Sequence, residues 1–320
     1  MSRWVASGLA AGVIASLAAL VLARAWDAGP GPTPSPARDD ESDAATTPDD
    51  PVAAAAAAGS HLRVELAEGP VHLWRPAGYH ADTAQLIVYV HGYYTDVDAA
   101  WLEHQLPAQF ALSAVNAWFV AVPAPRGGKQ AVAVRDVGAV VRALEVALGE
   151  VRPSGPLVAI GHSGAYRTLS TWLDEPMLDA VVLLDARYGD LPEFDAWSRE
   201  ACAPGAPCPR GPRRLIEVGD DTVRWTEDAA AADPDAVVLD FVPQPGPADE
   251  AWPEEAMLAR HVYVRSQFDH MALARGGVAL PALIRLLGGE LLPAGPWRAP
   301  LGRLPAPDAG LAPVAPGRRP

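Results

Sequence analysis

Apolar positions along the chain fall into short continuous runs separated by longer stretches of helical period. The runs are Gln85–Val90, Ala117–Val122, Leu157–Ile160, Ala180–Leu184, Arg214–Val218 and His261–Arg265, with a weaker one at Ala236–Phe241. Runs of this length, bounded by turn residues, read as buried strands. Between them, residues 99–114 (with a break expected at Pro107), 132–148, 166–173 and 278–287 read as helices, and residues 62–66 and 71–74 as an edge hairpin. Strands that alternate with helices specify a doubly wound, mostly parallel α/β sheet. In such a sheet chemistry collects beyond the carboxyl ends of the strands, which gives a rule for sorting candidate residues.

The strand 157–160 ends in Gly161-His162-Ser163-Gly164-Ala165, followed by a helical segment. Strand, tight turn with Ser at its apex, helix: this is the context that exposes a nucleophilic hydroxyl at the top of a sheet. Ala165 stands where the G-x-S-x-G pattern has its last glycine. A serine hydroxyl is a weak nucleophile and needs a base, which in turn needs an orienting acid. Of the eight histidines, only His91, His162 and His270 fall beyond carboxyl strand ends; His61, His72, His80, His104 and His261 are set aside. His162 belongs to the turn itself and points away from its neighbour Ser163. Asp185 closes one strand, and Asp220 and Asp221 close the next. Asp185 is preferred as the acid because its strand is expected beside that of Ser163; the adjacent pair is the alternative. Gly164 N–H, just after the nucleophile, is a natural donor to a developing oxyanion.

Composition narrows the partners. Against 25 Lys and Arg stand 39 Asp and Glu, a net charge of −14, which excludes a nucleic-acid ligand. Cys202 and Cys208 lie in Cys-Ala-Pro-Gly-Ala-Pro-Cys without histidines at zinc spacing, so no metal site is expected. A small disulfide loop and two unpaired thiols are both open readings. Trp4–Ala23 carries no charge and is flanked by Arg3 and Arg24, which reads as a membrane anchor or a signal segment. Residues 26–60, rich in Pro, Asp and Ala, read as an unstructured tether.

With its His91-Gly92 loop after the third strand, its Gly161–Ala165 turn, and its nucleophile–acid–histidine order, the chain resembles the α/β-hydrolase superfamily. The resemblance implies that residues 61–292 form an α/β-hydrolase domain with a small cap insertion at 186–212, followed by an unstructured tail at 293–320. It implies His270 as base, His91 as a structural histidine, and Tyr93 N–H as the second oxyanion donor, helped by the Tyr94 hydroxyl. Tyr94, Tyr188, Phe194 and Trp197 are the candidates to line a substrate pocket. The implied activity is an extracytoplasmic serine hydrolase that cleaves a carboxylic ester, thioester or amide without a cofactor. The competing reading is a membrane-tethered binding protein that has the fold without the catalysis.

Overall fold

The computed structural model describes residues 51–199, 213–243 and 252–293. The uncharged segment 4–23, the tether up to residue 50, the Cys202–Cys208 loop and the tail beyond residue 293 lie outside the described residues. Among the described residues no helix is long and apolar enough to cross a membrane.

The described strands form one nine-stranded sheet, ordered β1-β2-β4-β3-β5-β6-β7-β9-β8. Strands β1 (Ser60–Leu66) and β2 (Gly69–Arg75) make the expected edge hairpin, and β2 also runs antiparallel to β4 (Ala117–Val122). From β4 onward every pairing is parallel, through β3 (Gln85–Val90), β5 (Leu157–His162), β6 (Leu178–Leu184), β7 (Arg214–Gly219), β9 (His261–Arg265) and the short β8 (Val237–Leu239). The α/β class expected from the apolar runs is therefore the architecture observed.

The runs are continuous because helices cover both faces of the sheet. Ile87, Phe119, Ile160, Val182 and Ile216 belong to one buried cluster. It includes residues of α1 (Pro51–Ala58), α2 (Val97–Glu103), α3 (Leu106–Ser113), α8 (Glu254–Leu258), α9 (His270–Arg275) and α10 (Ala279–Leu286). Their alternates Leu86, Val88, Trp118, Ala159 and Leu183 belong to the other cluster, with α4 (Val137–Leu148), α5 (Tyr166–Leu169) and α6 (Pro192–Arg199). Helix α7 (Val223–Ala231) connects β7 to β8.

Three boundaries differ from expectation. The stretch 99–114 is two helices, and the break falls at His104–Gln105, where Gln105 takes a left-handed conformation with φ 48°. Pro107 instead sits in the first turn of α3, where a missing N–H costs nothing. Helix α4 starts at Val137 rather than 132, because the Asp136 carboxylate caps it by accepting from Ala139 N–H at 2.8 Å. Folded structure also begins ahead of His61: the alanine run forms α1, with Ala55 buried and the Ala56 carbonyl accepting from the Trp74 indole N–H at 3.1 Å.

Candidate active site

Ser163 follows β5 directly and holds φ 54°, in the left-handed region that non-glycine residues rarely enter. Small neighbours make the turn possible. A Cβ on Gly92 would come within 2.8 Å of Ser163 Cβ, so the bare glycine lets the loop after β3 lie against the turn. A Cβ on Gly161 would fall 3.0 Å from the Ala165 methyl and 2.6 Å from Leu169, so its absence leaves room for the alanine that departs from the usual pattern. Strain gathers here: of five described non-glycine residues at positive φ, Tyr94, Ser163 and Asp185 each follow the carboxyl end of a strand, β3, β5 and β6. Such conformations cost of order 1–3 kcal/mol each and persist where surrounding structure holds them.

The Asp185 carboxylate is fully buried and densely solvated by protein donors. It accepts from the backbone N–H of Asp220 at 2.9 Å, of Asp221 at 3.2 Å and of Thr222 at 2.9 Å, and from the Thr222 hydroxyl at 2.7 Å. Its remaining partner is His270 Nδ1 at 2.5 Å. Burial alone would raise its pKa, but the bonds from His270, Asp220 and Thr222 outweigh that and hold it at about 2. Conversely, the bond to Asp185 lifts the His270 pKa above its ordinary value, against the opposing effect of burial. Asp220 and Asp221, the alternative acids, contribute backbone N–H groups to Asp185 rather than a close carboxylate to His270. The nearest oxygen of Asp221 lies 4.0 Å from Nδ1 on an exposed side chain.

The loop that carries Asp185 is anchored from behind. Arg187 is buried and binds Asp195 through both terminal nitrogens, at 3.0 and 2.8 Å, and Glu217 at 2.6 Å. Burial raises the Glu217 pKa to about 7 despite Arg187. His91 also has a structural position: Nδ1–H donates to the Gly92 carbonyl at 2.7 Å and Nε2 accepts from Ala124 N–H at 3.1 Å, joining the loops after β3 and β4.

A cleft of about 570 Å³ opens over Ser163 and His270. The predicted residues Tyr93, Tyr94, Gly164 and Tyr188 line it. Gly164 lies in the open first turn after the elbow, where backbone N–H groups lack intrahelical partners. A Cβ there would strike the Tyr93 ring at 2.5 Å, so that ring lies directly on the turn. The Tyr93 hydroxyl accepts from Arg167 at 3.2 Å. Tyr188 lines the cleft together with Ser163 and stands beside Tyr166 and Trp225, with ring centroids 6.1 and 6.2 Å away. Phe194 and Trp197 were expected to line the pocket and do not. Both are buried on α6 in the cluster beneath the sheet, because the apolar side of that helix turns inward. The rest of the expected cap, residues 200–212, lies outside the described residues.

Two histidines set aside on sequence grounds border the cleft. The His162 ring, on the same sheet face as Ile160, lies 4.5 Å from the His270 ring at a tilt of 36° and donates Nε2–H to the His270 carbonyl at 3.0 Å. Burial, and then the neighbouring His270, lower its pKa to about 4, so it stays neutral beside the His270 ring. His104, at the carboxyl end of α2, meets it edge to face at 6.1 Å. The strand-end rule excluded His104 because it lies on a helix; its proximity to β5 is set by the turn at Gln105, which leaves no periodic signal.

No protein-family model matches the chain, and no curated protein does. Solved structures resemble it distantly. The feruloyl esterase module from Clostridium thermocellum is 11% identical, over 72% of this chain and 89% of that one, with a TM-score of 0.44. An esterase from Pyrococcus furiosus is 12% identical, over 68% and 86%, with a TM-score of 0.37. An S-formylglutathione hydrolase from Agrobacterium tumefaciens is 11% identical, over 66% and 88%, at 0.33. The protein's own topology is more specific than these likenesses: a parallel sheet led by an antiparallel hairpin, a strained serine turn after a central strand, an aspartate ending the next strand, and a histidine after β9. The chain has the α/β-hydrolase fold.

Proposed function

We propose that the protein is a serine hydrolase acting on a carboxylic ester of a small molecule, with Ser163 as nucleophile, His270 as base and Asp185 as the orienting acid. The observation that carries this reading is the commitment of His270 Nδ1 to a buried carboxylate while the same ring borders the cleft over Ser163. With Nδ1–H held by Asp185, Nε2 is the basic nitrogen available to take the Ser163 proton. Attack of Oγ on the ester carbonyl forms a C–O bond and moves negative charge to the carbonyl oxygen, toward Gly164 N–H and Tyr93 N–H. Collapse expels the alkoxide, which takes the proton from His270 Nε2 and leaves an acyl-serine. Water activated by the same nitrogen then releases the acid and restores Ser163. Asp185 remains ionised throughout and stabilises the imidazolium. Thioesters and amides follow the same sequence.

A fluorophosphonate probe tests the proposal against the reading of an inactive binding protein on a hydrolase fold. Covalent labelling of the wild type, absent in Ser163→Ala, is the expected result. An unlabelled wild type that hydrolyses no short ester would leave the binding reading.

We infer further that the chain works outside the cytoplasm, held by residues 4–23; the uncharged run between Arg3 and Arg24 supports this. Cell fractionation with N-terminal sequencing tests it. A membrane-bound product retaining Trp4 is expected; a soluble cytoplasmic full-length product would end the proposal.

A further inference from the structure

Of the groups bordering the cleft, the His104 ring has one nitrogen without an assigned protein partner. His104 is buried to 1% exposure, yet it is part of the cleft wall. Its Nδ1 lies 2.9 Å from the Tyr89 hydroxyl, and its Nε2 has no hydrogen-bond partner. A buried polar atom in this condition costs about 1–3 kcal/mol unless something binds it.

The tautomer follows from the partners. The Tyr89 hydroxyl is buried inside β3, burial raises its pKa, and its hydrogen-bond partner among the described residues is His104 Nδ1. An O–H that donates to Nδ1 leaves the imidazole proton on Nε2. Burial lowers the His104 pKa to about 3, so the ring is neutral. Tyr89 of β3 holds Nδ1, and Nε2–H is left as a buried donor without a partner in a side chain that forms part of the cleft wall.

The donor is rigidly mounted. The Gln109 side-chain amide donates to the His104 carbonyl at 2.6 Å and to the Ala274 carbonyl of α9 at 2.7 Å, tying this turn to the helix that begins at His270. His104 thus stands with Met271 and Arg275 of α9 on the His270 side of the cleft, its ring against His162, which in turn lies against His270. The base delivers its proton to the departing alkoxide, so the leaving group of an ester lies on that side.

We propose that His104 Nε2–H forms a subsite for an oxygen on the alcohol portion of the substrate, so that the enzyme prefers esters of hydroxylated alcohols. The inference rests on the ester-hydrolase reading. His104 contributes recognition: it touches the substrate beyond the scissile bond, and Tyr89 positions it by fixing the tautomer.

Matched esters test the subsite. 2-Hydroxyethyl butyrate and propyl butyrate have the same chain length and differ by OH for CH₃. The wild type is expected to favour the hydroxyethyl ester in kcat/KM by about tenfold or more. His104→Phe keeps a flat ring without the donor, and the ratio of the two esters should fall to near one. His104→Gln, whose amide can donate, should recover part of the ratio. If His104→Phe fails to fold, Tyr89→Phe with 2-methoxyethyl and butyl esters decides. Without the tyrosine hydroxyl the imidazole proton can move to Nδ1, and the preference for an ether oxygen, which only accepts, should shrink. A wild-type ratio near one, a ratio retained in His104→Phe, or an ether preference retained in Tyr89→Phe overturns the subsite. The serine-hydrolase reading fails separately, through an unlabelled Ser163. In that event the affinities of the two butyrates for Ser163→Ala protein still decide, and equal affinities would overturn the proposal.

Discussion

Two histidine–aspartate pairs stand at opposite ends of one strand. At the carboxyl end of β9, His270 meets Asp185; at the amino end, His261 meets Asp233 through the same ring nitrogen. The residue types are identical and the surroundings are not. Asp185 has four donors besides histidine, and its bond raises the His270 pKa. His261 is nearly buried, its pKa is lowered first by burial, and its Nε2 has no hydrogen-bond partner. His270 borders the cleft that contains Ser163, whereas the hollow beside His261 is lined by Arg199, Arg260, Asp233 and Asp235, with no serine, threonine or cysteine among the described residues of its lining. An Asp–His pair is therefore a chemical resource only where its second nitrogen faces a nucleophile. The carboxyl end of the sheet supplies that through the strained turn at Ser163.

The largest contrast comes from matched substitutions in the two pairs. Asp185→Asn removes the charge that orients and stabilises His270, and ester turnover should fall by about 10⁴. Asp233→Asn should leave turnover unchanged and lower only the melting temperature. Turnover of both proteins on a p-nitrophenyl ester, with thermal denaturation alongside, checks the pair. A loss of turnover in Asp233→Asn, or its retention in Asp185→Asn, would break the comparison.

A second difference lies beneath the loops. Arg187 holds the Asp185 loop through the buried carboxylate of Glu217 and the partly buried one of Asp195. Breaking a buried ion pair by removing one partner costs about 3–5 kcal/mol. Arg187→Met should therefore lower unfolding free energy by an amount in that range, read from urea denaturation. A loss of only a few tenths would show that the loop is held by the Asp185 bonds alone.

These anchors also mark the limit of what the sequence discloses. The strands were legible because burial on both sheet faces writes them as unbroken apolar runs, and the serine turn because its geometry demands small residues at Gly161, Gly164 and Ala165. Asp185 could be preferred over Asp220 and Asp221 because strand order follows from the βα alternation. The histidine layer of His104 and His162 was not legible. It depends on a left-handed residue at Gln105 and on side-chain packing across α2, β5 and α9, which no periodicity records. Phe194 and Trp197 misled for the complementary reason: aromatic residues in an insertion look the same whether they face a substrate or the underside of a sheet.

Acidity should act on the His270–Asp185 pair more gently. The proposed mechanism requires neutral His270, whose pKa the Asp185 bond raises above its ordinary value. Turnover should thus be lost as pH falls through a midpoint above about 6.5, the unperturbed histidine value. In Asp185→Asn the raising interaction is gone, and the midpoint of the residual activity should move to lower pH. His162 and His104, held near 4 and 3 chiefly by burial, titrate below that limb and leave it unaltered. A kcat/KM profile with a midpoint below that of free histidine would contradict the role of the bond.

The smallest effect belongs to Asp221, the carboxylate that competes with Asp185 on sequence grounds. Its oxygen is 4.0 Å from His270 Nδ1, and its side chain is 66% exposed. A unit charge at that distance interacts by about 1 kcal/mol in water, and salt reduces it further. Its negative charge favours the imidazolium, so Asp221→Asn should lower the His270 midpoint by less than about one pH unit. The Asp221 N–H that supports Asp185 is backbone and survives the substitution, so turnover on the alkaline plateau should match the wild type. The expected profile is the wild-type curve displaced slightly to acid, with the displacement shrinking in high salt. A plateau reduced as far as in Asp185→Asn would transfer the acid role to Asp221, and the geometry of the Asp185–His270 bond would then be a structural contact like that of Asp233 and His261.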